Sequence, residues 1–249
     1  ISTTVIPDQQ IGLIDFTYRQ DYYIIAFETT SGDIKWSDSA LRMGGHGLTV
    51  FGDHVYATGL SETAKEVIRC LRLDTGELLW QRDIGNQDYY STPVSSTTGV
   101  LIGEGTDIIV YDHTDGKQRA AVELPHGRIR SIAVDDGIAF VLSETGLSAV
   151  SVPDGGEQWS LTRDPGRHFV RGPLAVGREA VVAPIHTDAL GCPSVVAFET
   201  TDGTQRWQFT LGDDFCGTIW SQPVLADGAV FIDTNLHTVA ALGDLPLQE

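Results

Sequence analysis

The sequence predicts an all-β fold built from repeated four-stranded units, and three observations carry this prediction. Residues 197–207 (AFETTDGTQRW) closely copy residues 26–36 (AFETTSGDIKW), and each copy has the pattern of an apolar strand, a polar turn closed by glycine and a second strand containing tryptophan. Turn glycines recur at successive spacings of 44, 40, 39 and 48 residues. No segment has helical periodicity. Because a single hairpin cannot bury its apolar face, a β-repeat of about 40 residues predicts the stacked blades of a β-propeller.

Each unit is predicted to contain four short antiparallel strands, A to D, with the turn glycine between C and D. A single propeller domain is expected over residues 1–249. The recurring residues are interpreted as structural, because a buried indole contributes a large apolar area and its N–H can reach a backbone carbonyl. They are Gly32, Trp36, Gly76, Trp80, Gly116, Gly155, Trp159, Gly203 and Trp207, with Ala120 at the tryptophan position of the third copy. The six predicted blades cover about 1–40, 41–85, 86–125, 126–162, 163–212 and 213–249.

The last blade has a poor candidate for strand D over residues 243–247, which leaves two arrangements of the ring. Either six blades close through edge pairing of the termini, or further blades precede Ile1 and complete a ring of seven or eight. We expect the second arrangement, because proteins usually avoid unpaired strand edges.

The charge balance restricts the class of partner. The chain has 34 acidic and 16 basic residues, a formal net charge of -18, and only three lysines. Such a surface repels phosphate backbones, so no nucleic acid partner is expected. No apolar run is long enough for a spanning helix. The acidic, lysine-poor composition resembles proteins of salt-loving archaea.

The pattern apolar-x-Ala-apolar-Asp/Glu-x-x-x-Gly-x-x-x-Trp occurs over residues 24–36, 67–80 and 194–207 and in weaker form over 108–120 and 147–159. It resembles the repeat of the pyrroloquinoline-quinone-like (PQQ-like) propeller family. The resemblance implies a ring of seven or eight blades in which each repeat tryptophan docks against the neighbouring blade. Members of the family include quinoprotein dehydrogenases, the propeller lipoprotein of the bacterial outer-membrane assembly machine and sensor propellers of signalling proteins. The repeat therefore predicts a fold and leaves the activity open.

No cofactor is expected. The dehydrogenases that the repeat resembles use an adjacent cysteine pair, a calcium ion held by acidic and amide side chains and an aspartate base. This sequence has no adjacent cysteines, and its only asparagines are Asn86 and Asn235. PQQ with calcium, as part of a dehydrogenase fragment, is kept as an alternative. No spacing specific for a metal site is present, and no metal ligand is predicted.

The B–C loops and D–A connections of such blades lie on one face, here called the loop face. In an otherwise anionic chain, arginines concentrate in the connections predicted for this face, where they could hold an anionic ligand through forked hydrogen bonds. The competing interpretation is that they pair with neighbouring carboxylates, since exposed ion pairs are common. The candidate ligand-binding residues are Arg128, Arg130, Arg167, His168 and Arg171.

The three cysteines allow one disulfide. Cys192 and Cys216 are expected on neighbouring loops of the loop face, and a bridge between them is predicted, with two free thiols as the alternative. Cys70 lies in a predicted C strand and is interpreted as buried and inert.

These observations favour a non-enzymatic scaffold that binds a protein or a small ligand at its loop face, secreted or held at the cell surface. A lipid anchor in a segment before Ile1 would suit that location. Two alternatives stay open, namely a fragment of a PQQ-dependent dehydrogenase and the ligand-sensing propeller of a signalling protein.

Overall fold

The structure is a computed structural model that describes residues 2–42, 47–84, 91–125, 127–162, 167–169, 173–187, 192–212, 222–226, 229–233 and 239–242. It is almost entirely antiparallel β-sheet, with one short 3-10 helix at Pro7–Gln9 and no α-helix in the described ranges. The chain divides into two compact units, residues 1–104 with 108–121, and residues 105–107 with 122–249. The all-β prediction is confirmed. A single domain over residues 1–249 remains a prediction.

The first unit contains blades one and two and most of blade three. In each blade the strands follow one another in order and pair antiparallel. Among the described residues, the pair of Arg42 with Leu60 joins the sheets of blades one and two. The strands are β1 (Ser2–Ile6), β2 (Ile11–Tyr18), β3 (Asp21–Glu28) and β4 (Ile34–Arg42) in blade one, β5 (Leu48–Phe51), β6 (His54–Leu60), β7 (Glu66–Arg72) and β8 (Leu78–Asp83) in blade two, and β9 (Val94–Ser96), β10 (Gly99–Glu104), β11 (Asp107–Tyr111) and β12 (Gln118–Glu123) in blade three.

The second unit contains blades four to six, and three strands are described in blade six. Residues 243–247, the weak candidate for strand D, lie outside the described residues. The strands are β13 (Ile129–Asp135), β14 (Ile138–Ser143), β15 (Gly146–Ser151) and β16 (Glu157–Thr162) in blade four, β17 (Arg167–Phe169), β18 (Ala175–Val176), β19 (Ala180–Thr187), β20 (Ser194–Glu199) and β21 (Gln205–Thr210) in blade five, and β22 (Val224–Ala226), β23 (Ala229–Asp233) and β24 (Val239–Leu242) in blade six.

Blade five departs from the predicted frame. Arg167 and His168 were expected in a D–A connection, but they form β17, whose backbone pairs with Thr187 and His186 at the end of β19. Arg130 was also expected in a connection and is the second residue of β13. These assignments to connections were wrong, because strand pairing at the end of a long neighbouring strand extends the sheet beyond what the local apolar pattern shows.

Five C–D turns share one geometry. In each turn the residue four places before the glycine donates its N–H to the carbonyl of the residue after the glycine, and the glycine N–H donates back to that first residue. All five turn glycines adopt a left-handed φ of +63° to +78°, a conformation that other L-residues enter only at a cost. The sequence therefore repeats glycine here because the turn requires it.

The repeat tryptophans pack on the turn glycine of the next blade. A Cβ atom on Gly76 would lie 2.7 Å from the ring of Trp36, and one on Gly116 would lie 2.5 Å from the ring of Trp80. In the second unit the same contact joins Gly203 and the ring of Trp159, at 2.7 Å.

Each docked indole also donates its N–H to the carbonyl of the residue three places before that glycine. The distances from Nε1 to the carbonyl oxygen are 2.8, 2.9 and 2.9 Å. The third and fifth copies differ. In the third copy Val122 lies against Gly155, the turn glycine of blade four, and in the fifth copy Trp207 is a partly buried member of the core beside blade six. The donor and acceptor pairs are Trp36 with Leu73, Trp80 with His113, and Trp159 with Thr200.

The core lies between consecutive blades. Both faces of the middle strands are buried in most blades, as in β6 and β7, where every residue between the strand ends is buried. Apolar clusters join blades one and two, two and three, four and five, and five and six. Complete burial of each Val, Leu or Ile side chain contributes roughly 1.5–3 kcal/mol, so stacking of blades is the main source of stability.

Candidate functional site

Three loops of the second unit meet at the ends of blades three and four. We call them the loop platform, defined as residues 105–106, 124–125, 127–128 and 144–145. They belong to the B–C loop of blade three, the connection between the two blades and the B–C loop of blade four. Three backbone hydrogen bonds hold them together, from Leu124 N to Thr106 O at 3.1 Å, from Ile129 N to Gly105 O at 2.7 Å, and from Glu144 N to Arg128 O at 3.0 Å.

Local sequence explains why these loops are tight. Gly105 and Gly127 have left-handed φ values of +64° and +79°, which let the chain reverse direction. The buried Ser143 hydroxyl donates to the carbonyl of Gly146 and accepts from its N–H, both at 3.1 Å, across the two-residue turn formed by residues 144–145. A side chain at Gly146 would collide with the carbonyl oxygen of Leu161, 2.2 Å from the position of a Cβ. The platform is therefore held in one backbone arrangement.

Charged side chains converge on this platform. Arg130, at the start of β13, forms an ion pair with Glu144, and their side chains are 17% and 40% exposed. Arg128 is exposed on the same platform. The pairing of Arg130 follows the competing sequence interpretation, in which arginines pair with neighbouring carboxylates. A guanidinium group donates through five N–H groups in a planar fork, a geometry that suits carboxylate and phosphate oxygens.

The structure describes only part of the other candidate ligand-binding residues. Arg167 and His168 have described backbones in β17, and their side chains lie outside the described part of the chain. Arg171 is also outside it. The structure thus places Arg128 on the loop platform and Arg130 in β13, where it pairs with Glu144 of the platform, and the grouping of all five residues stays a prediction.

The cysteines have separate environments. Cys70 is a free, fully buried thiol in β7. Burial raises the pKa of the Cys70 thiol to about 12. Cys192 is disulfide-bonded. Its predicted partner, Cys216, lies outside the described residues, and the pairing of these two residues stays a prediction.

Sequence reasoning missed Glu144 as a member of the site. The residue lies in a B–C loop, and the same topological rule that placed B–C loops on the loop face could have selected it. Distance along the sequence hid the pair, because Glu144 is 14 residues from Arg130 and the two meet only across the β13–β14 hairpin.

A buried polar cluster in the first unit forms a second candidate for chemistry. His113 Nε2 lies 2.7 Å from the carbonyl oxygen of Ser96, which can only accept, so Nε2 carries the proton. His113 Nδ1 is then the acceptor for the Tyr56 hydroxyl at 2.6 Å. Burial is the main cause that raises the pKa of the Tyr56 phenol above its ordinary value. Both ring nitrogens are satisfied, and the His113 ring stacks on Phe51 at 4.5 Å, so this cluster serves packing between blades two and three.

Two further kinds of feature are absent from the described ranges. These ranges contain no group of three or more His, Cys, Asp or Glu side chains arranged to hold a metal ion. They also contain no helix that is long and apolar enough to cross a membrane.

The chain matches one known family in sequence. The sequence model of the family described as outer membrane protein assembly factor BamB matches residues 64–188 and 147–244. No curated protein sequence gives a significant match.

Three solved structures share the fold. The computationally designed Ika8 protein has a TM-score of 0.70 at 15% identity, covering 94% of this chain and 68% of that chain. BamB from Moraxella catarrhalis has a TM-score of 0.61 at 18% identity, with coverage of 96% and 75%. The C-terminal WD40 domain of Sif2 has a TM-score of 0.65 at 10% identity, with coverage of 97% and 80%. At these identities the structural likeness shows the fold alone, which is a β-propeller. Because the family match extends over more than half of this chain, the chain belongs to the BamB family of PQQ-like β-propellers.

Proposed function

We propose that this chain is a non-enzymatic propeller scaffold that binds a protein partner through its loop platform at the cell surface. The observation that carries the proposal is the set of three loops tied by backbone hydrogen bonds, which present Arg128 beside the Arg130–Glu144 pair. A site that is ordered before binding loses less conformational entropy when its partner arrives. Rigid loops on a β-scaffold are where binding residues commonly lie.

Charge indicates what the partner presents. The platform carries Arg128, and Arg130 follows two residues later in β13, so two arginines lie close together in a chain of formal net charge -18. Complementary charges mainly set specificity and the rate of association. We infer that the partner presents carboxylates to Arg128 and a cation to Glu144.

The description of the matching family supports a protein partner. The matching family is described as an outer membrane protein assembly factor, a function that belongs to proteins that act with other proteins. The proposal includes no cofactor, because the sequence lacks the adjacent cysteine pair of the quinoprotein dehydrogenases that the repeat resembles.

Site-specific photo-crosslinking tests the proposal. A photoreactive residue is placed at Arg128, on the platform, or at Asp154, an exposed residue of the C–D turn of blade four that serves as the control. We expect a discrete adduct in cells of the source organism from position 128 and none from position 154. The purified partner should then bind Arg128→Glu at least tenfold more weakly than wild type and Asp154→Asn equally well.

Three outcomes would contradict the scaffold function. They are equal adducts from both positions, platform binding of a small anion with no protein adduct, and substrate-dependent dye reduction after addition of PQQ and calcium. The last would support the dehydrogenase alternative.

A further inference from the structure

A chain of hydrogen bonds runs from the C–D turn of blade three into the core between blades two and three. His113 lies half-buried in that turn, and its Nδ1 accepts from the Tyr56 hydroxyl at 2.6 Å. Tyr56 and Cys70 are directly opposite each other in β6 and β7, and both are completely buried. The hydroxyl and the thiol are hydrogen-bonded to each other. We call these three side chains the relay.

His113 stands at a repeat position that has no titratable side chain in the other docked turns. Its carbonyl accepts the N–H of the Trp80 indole at 2.9 Å. Leu73 and Thr200 provide the same carbonyl to the other two docked indoles. Among the three described turns with a docked indole, this is therefore the one in which the acceptor residue can take up a proton.

Each hydrogen of the relay has a defined direction when the His113 ring is neutral. Nε2 donates to the carbonyl oxygen of Ser96 at 2.7 Å, so Nδ1 accepts the hydroxyl hydrogen of Tyr56. Burial, followed by the interaction with Cys70, raises the pKa of the Tyr56 phenol, which therefore keeps this hydrogen. The hydroxyl oxygen is then an acceptor toward the thiol, and the S–H of Cys70 donates to it.

Protonation of the ring reverses two of these bonds. Both nitrogens of an imidazolium are donors, so Nδ1–H must donate to the hydroxyl oxygen of Tyr56. The hydroxyl hydrogen turns away from the ring, toward the sulfur of Cys70 that the hydroxyl already contacts. The S–H then loses the oxygen as its acceptor. The bond from Nε2–H to Ser96 needs no change. One added proton at the turn thus alters the hydrogen bonding of a thiol in the core.

The ionisable groups on the elements packed around His113 have bonds of their own. Among the described residues, the ring nitrogens of His113 contact Tyr56 and Ser96 and none of these groups. The surrounding bonds are the ion pairs of Asp53 with His54 and Arg72, of Asp112 with Arg119 and of Asp115 with Lys117, and the hydrogen bonds from Arg82 to the carbonyls of Asp115 and Gly116. The relay is therefore the path that responds directly to a proton on this ring.

We propose that the relay is a pH-sensitive switch, in which proton uptake by His113 reverses the hydrogen bonds between His113, Tyr56 and Cys70. Imidazole groups change charge between about pH 5 and pH 8, the range in which such a switch operates. The stack of the ring on Phe51, at 4.5 Å and 3°, and the bond to Ser96 hold the ring in place in both states. The switch lies within the first unit and does not depend on the loop platform.

Raman spectroscopy of the S–H stretching band tests the proposal on the whole chain, because the frequency of this band reports the hydrogen bonding of a thiol. Cys192 is disulfide-bonded and has no S–H, and the band that is missing from Cys70→Ser belongs to Cys70. Proton uptake by His113 is followed in parallel through the nitrogen resonances of its ring in NMR. Between about pH 8 and pH 5 we expect the Cys70 band to move to higher frequency together with the titration of His113, because the S–H loses its acceptor.

Three variants separate the relay from general effects of pH. Tyr56→Phe keeps the aromatic ring and removes the hydroxyl, and His113→Gln removes the titratable group. His54→Gln is the matched control, because His54 is a second imidazole whose ring lies 6.1 Å from that of Tyr56 and whose Nδ1 pairs with Asp53. We expect the pH-dependent shift of the band to vanish in Tyr56→Phe and His113→Gln and to persist in His54→Gln.

Four results would overturn the proposal. The first is an S–H band that stays in place while His113 takes up its proton, and the second is an equal shift in Tyr56→Phe or His113→Gln. The third is a ring that stays neutral until the chain unfolds. The fourth is loss of the contact between the rings of His113 and Phe51 at low pH, because the ring would then have left the relay.

Discussion

Replacing Gly116 with alanine tests how much tryptophan docking contributes to the stability of neighbouring blades. The residue has a φ of +63°, and a Cβ atom there would lie 2.5 Å from Cε3 of Trp80. Carbon atoms pack at about 3.5–4.0 Å, so the indole must move by roughly 1 Å. That movement strains the hydrogen bond from Trp80 Nε1 to His113 O, now 2.9 Å long.

The matched control is Gly32→Ala, which makes the same change in the same type of turn. Its φ is +78°, and no atom of the described residues lies within 4 Å of the Cβ position. Both variants lose about 1–2 kcal/mol because alanine enters the left-handed region. Gly116→Ala should lose a further ~1–3 kcal/mol from overpacking against Trp80. For a chain of this size each kcal/mol corresponds to roughly 2–4 °C in Tm.

Thermal unfolding followed by far-UV circular dichroism, at one fixed KCl concentration, measures this difference. The double variant Trp80→Leu/Gly116→Ala completes a mutant cycle, and we expect the penalty of Gly116→Ala to fall to that of Gly32→Ala once the indole is gone. Equal losses of Tm in the two glycine variants would refute the reasoning. So would additivity in the cycle, since it would show that the ring and the turn do not interact.

Three further predictions concern buried charge, a buried thiol and the acidic surface. Asp38→Asn should lower the free energy of unfolding by about 3–5 kcal/mol, because Arg69, 7% exposed and 2.5 Å from Asp38, would keep a buried charge without its counterion. Lys65→Ala, which removes the exposed pair with Asp83, should leave Tm unchanged. Similar Tm values for the two variants would disprove this contrast. Burial raises the pKa of the Cys70 thiol to about 12, whereas the thiol of an unfolded chain has a pKa of about 8.5. The stability that the neutral thiol contributes is therefore fully present below about pH 8.5 and is lost as the pH rises towards 12. Cys70→Ala should therefore lessen the alkaline loss of Tm, and rapid reaction of native Cys70 with Ellman's reagent at pH 8 would argue against the buried thiol. Raising KCl from about 0.1 M to about 1 M, which shortens the Debye length from about 10 Å to about 3 Å, should raise Tm because it screens a net charge of -18; an unchanged Tm would count against a halophilic origin.

Much of the fold could be predicted because the repeat is enforced by local chemistry. A left-handed turn favours glycine, and the indole of one blade packs on the turn glycine of the next blade. The glycines and tryptophans therefore recur in phase. Blade five shows where this logic ends. Its strand β17 depends on the length of β19, which lies later in the sequence, and the residues Arg167–Phe169 are too few to show alternation.

The candidate site could be predicted only in part. Topology placed connections and B–C loops on one face, and the connection that carries Arg128 does bond to the B–C loops of blades three and four, whereas Arg130 lies in β13. The ion pair of Arg130 with Glu144 was not assigned, because opposite charges are abundant in this sequence and spacing alone does not select which two meet. The buried pair of Asp38 and Arg69, separated by 31 residues, was hidden for the same reason.

The sequence by itself determined the antiparallel repeat, the turn glycines and the tryptophan positions, since these recur in phase along the chain. The tertiary structure decided which indole covers which glycine and which carboxylate meets which arginine. It also distinguished Gly32 from Gly76, two glycines in equivalent repeats, because among the described residues an indole packs against Gly76 and none packs against Gly32. Docking depends on a side chain from another blade, and the sequence of a turn does not show which side chain packs on it.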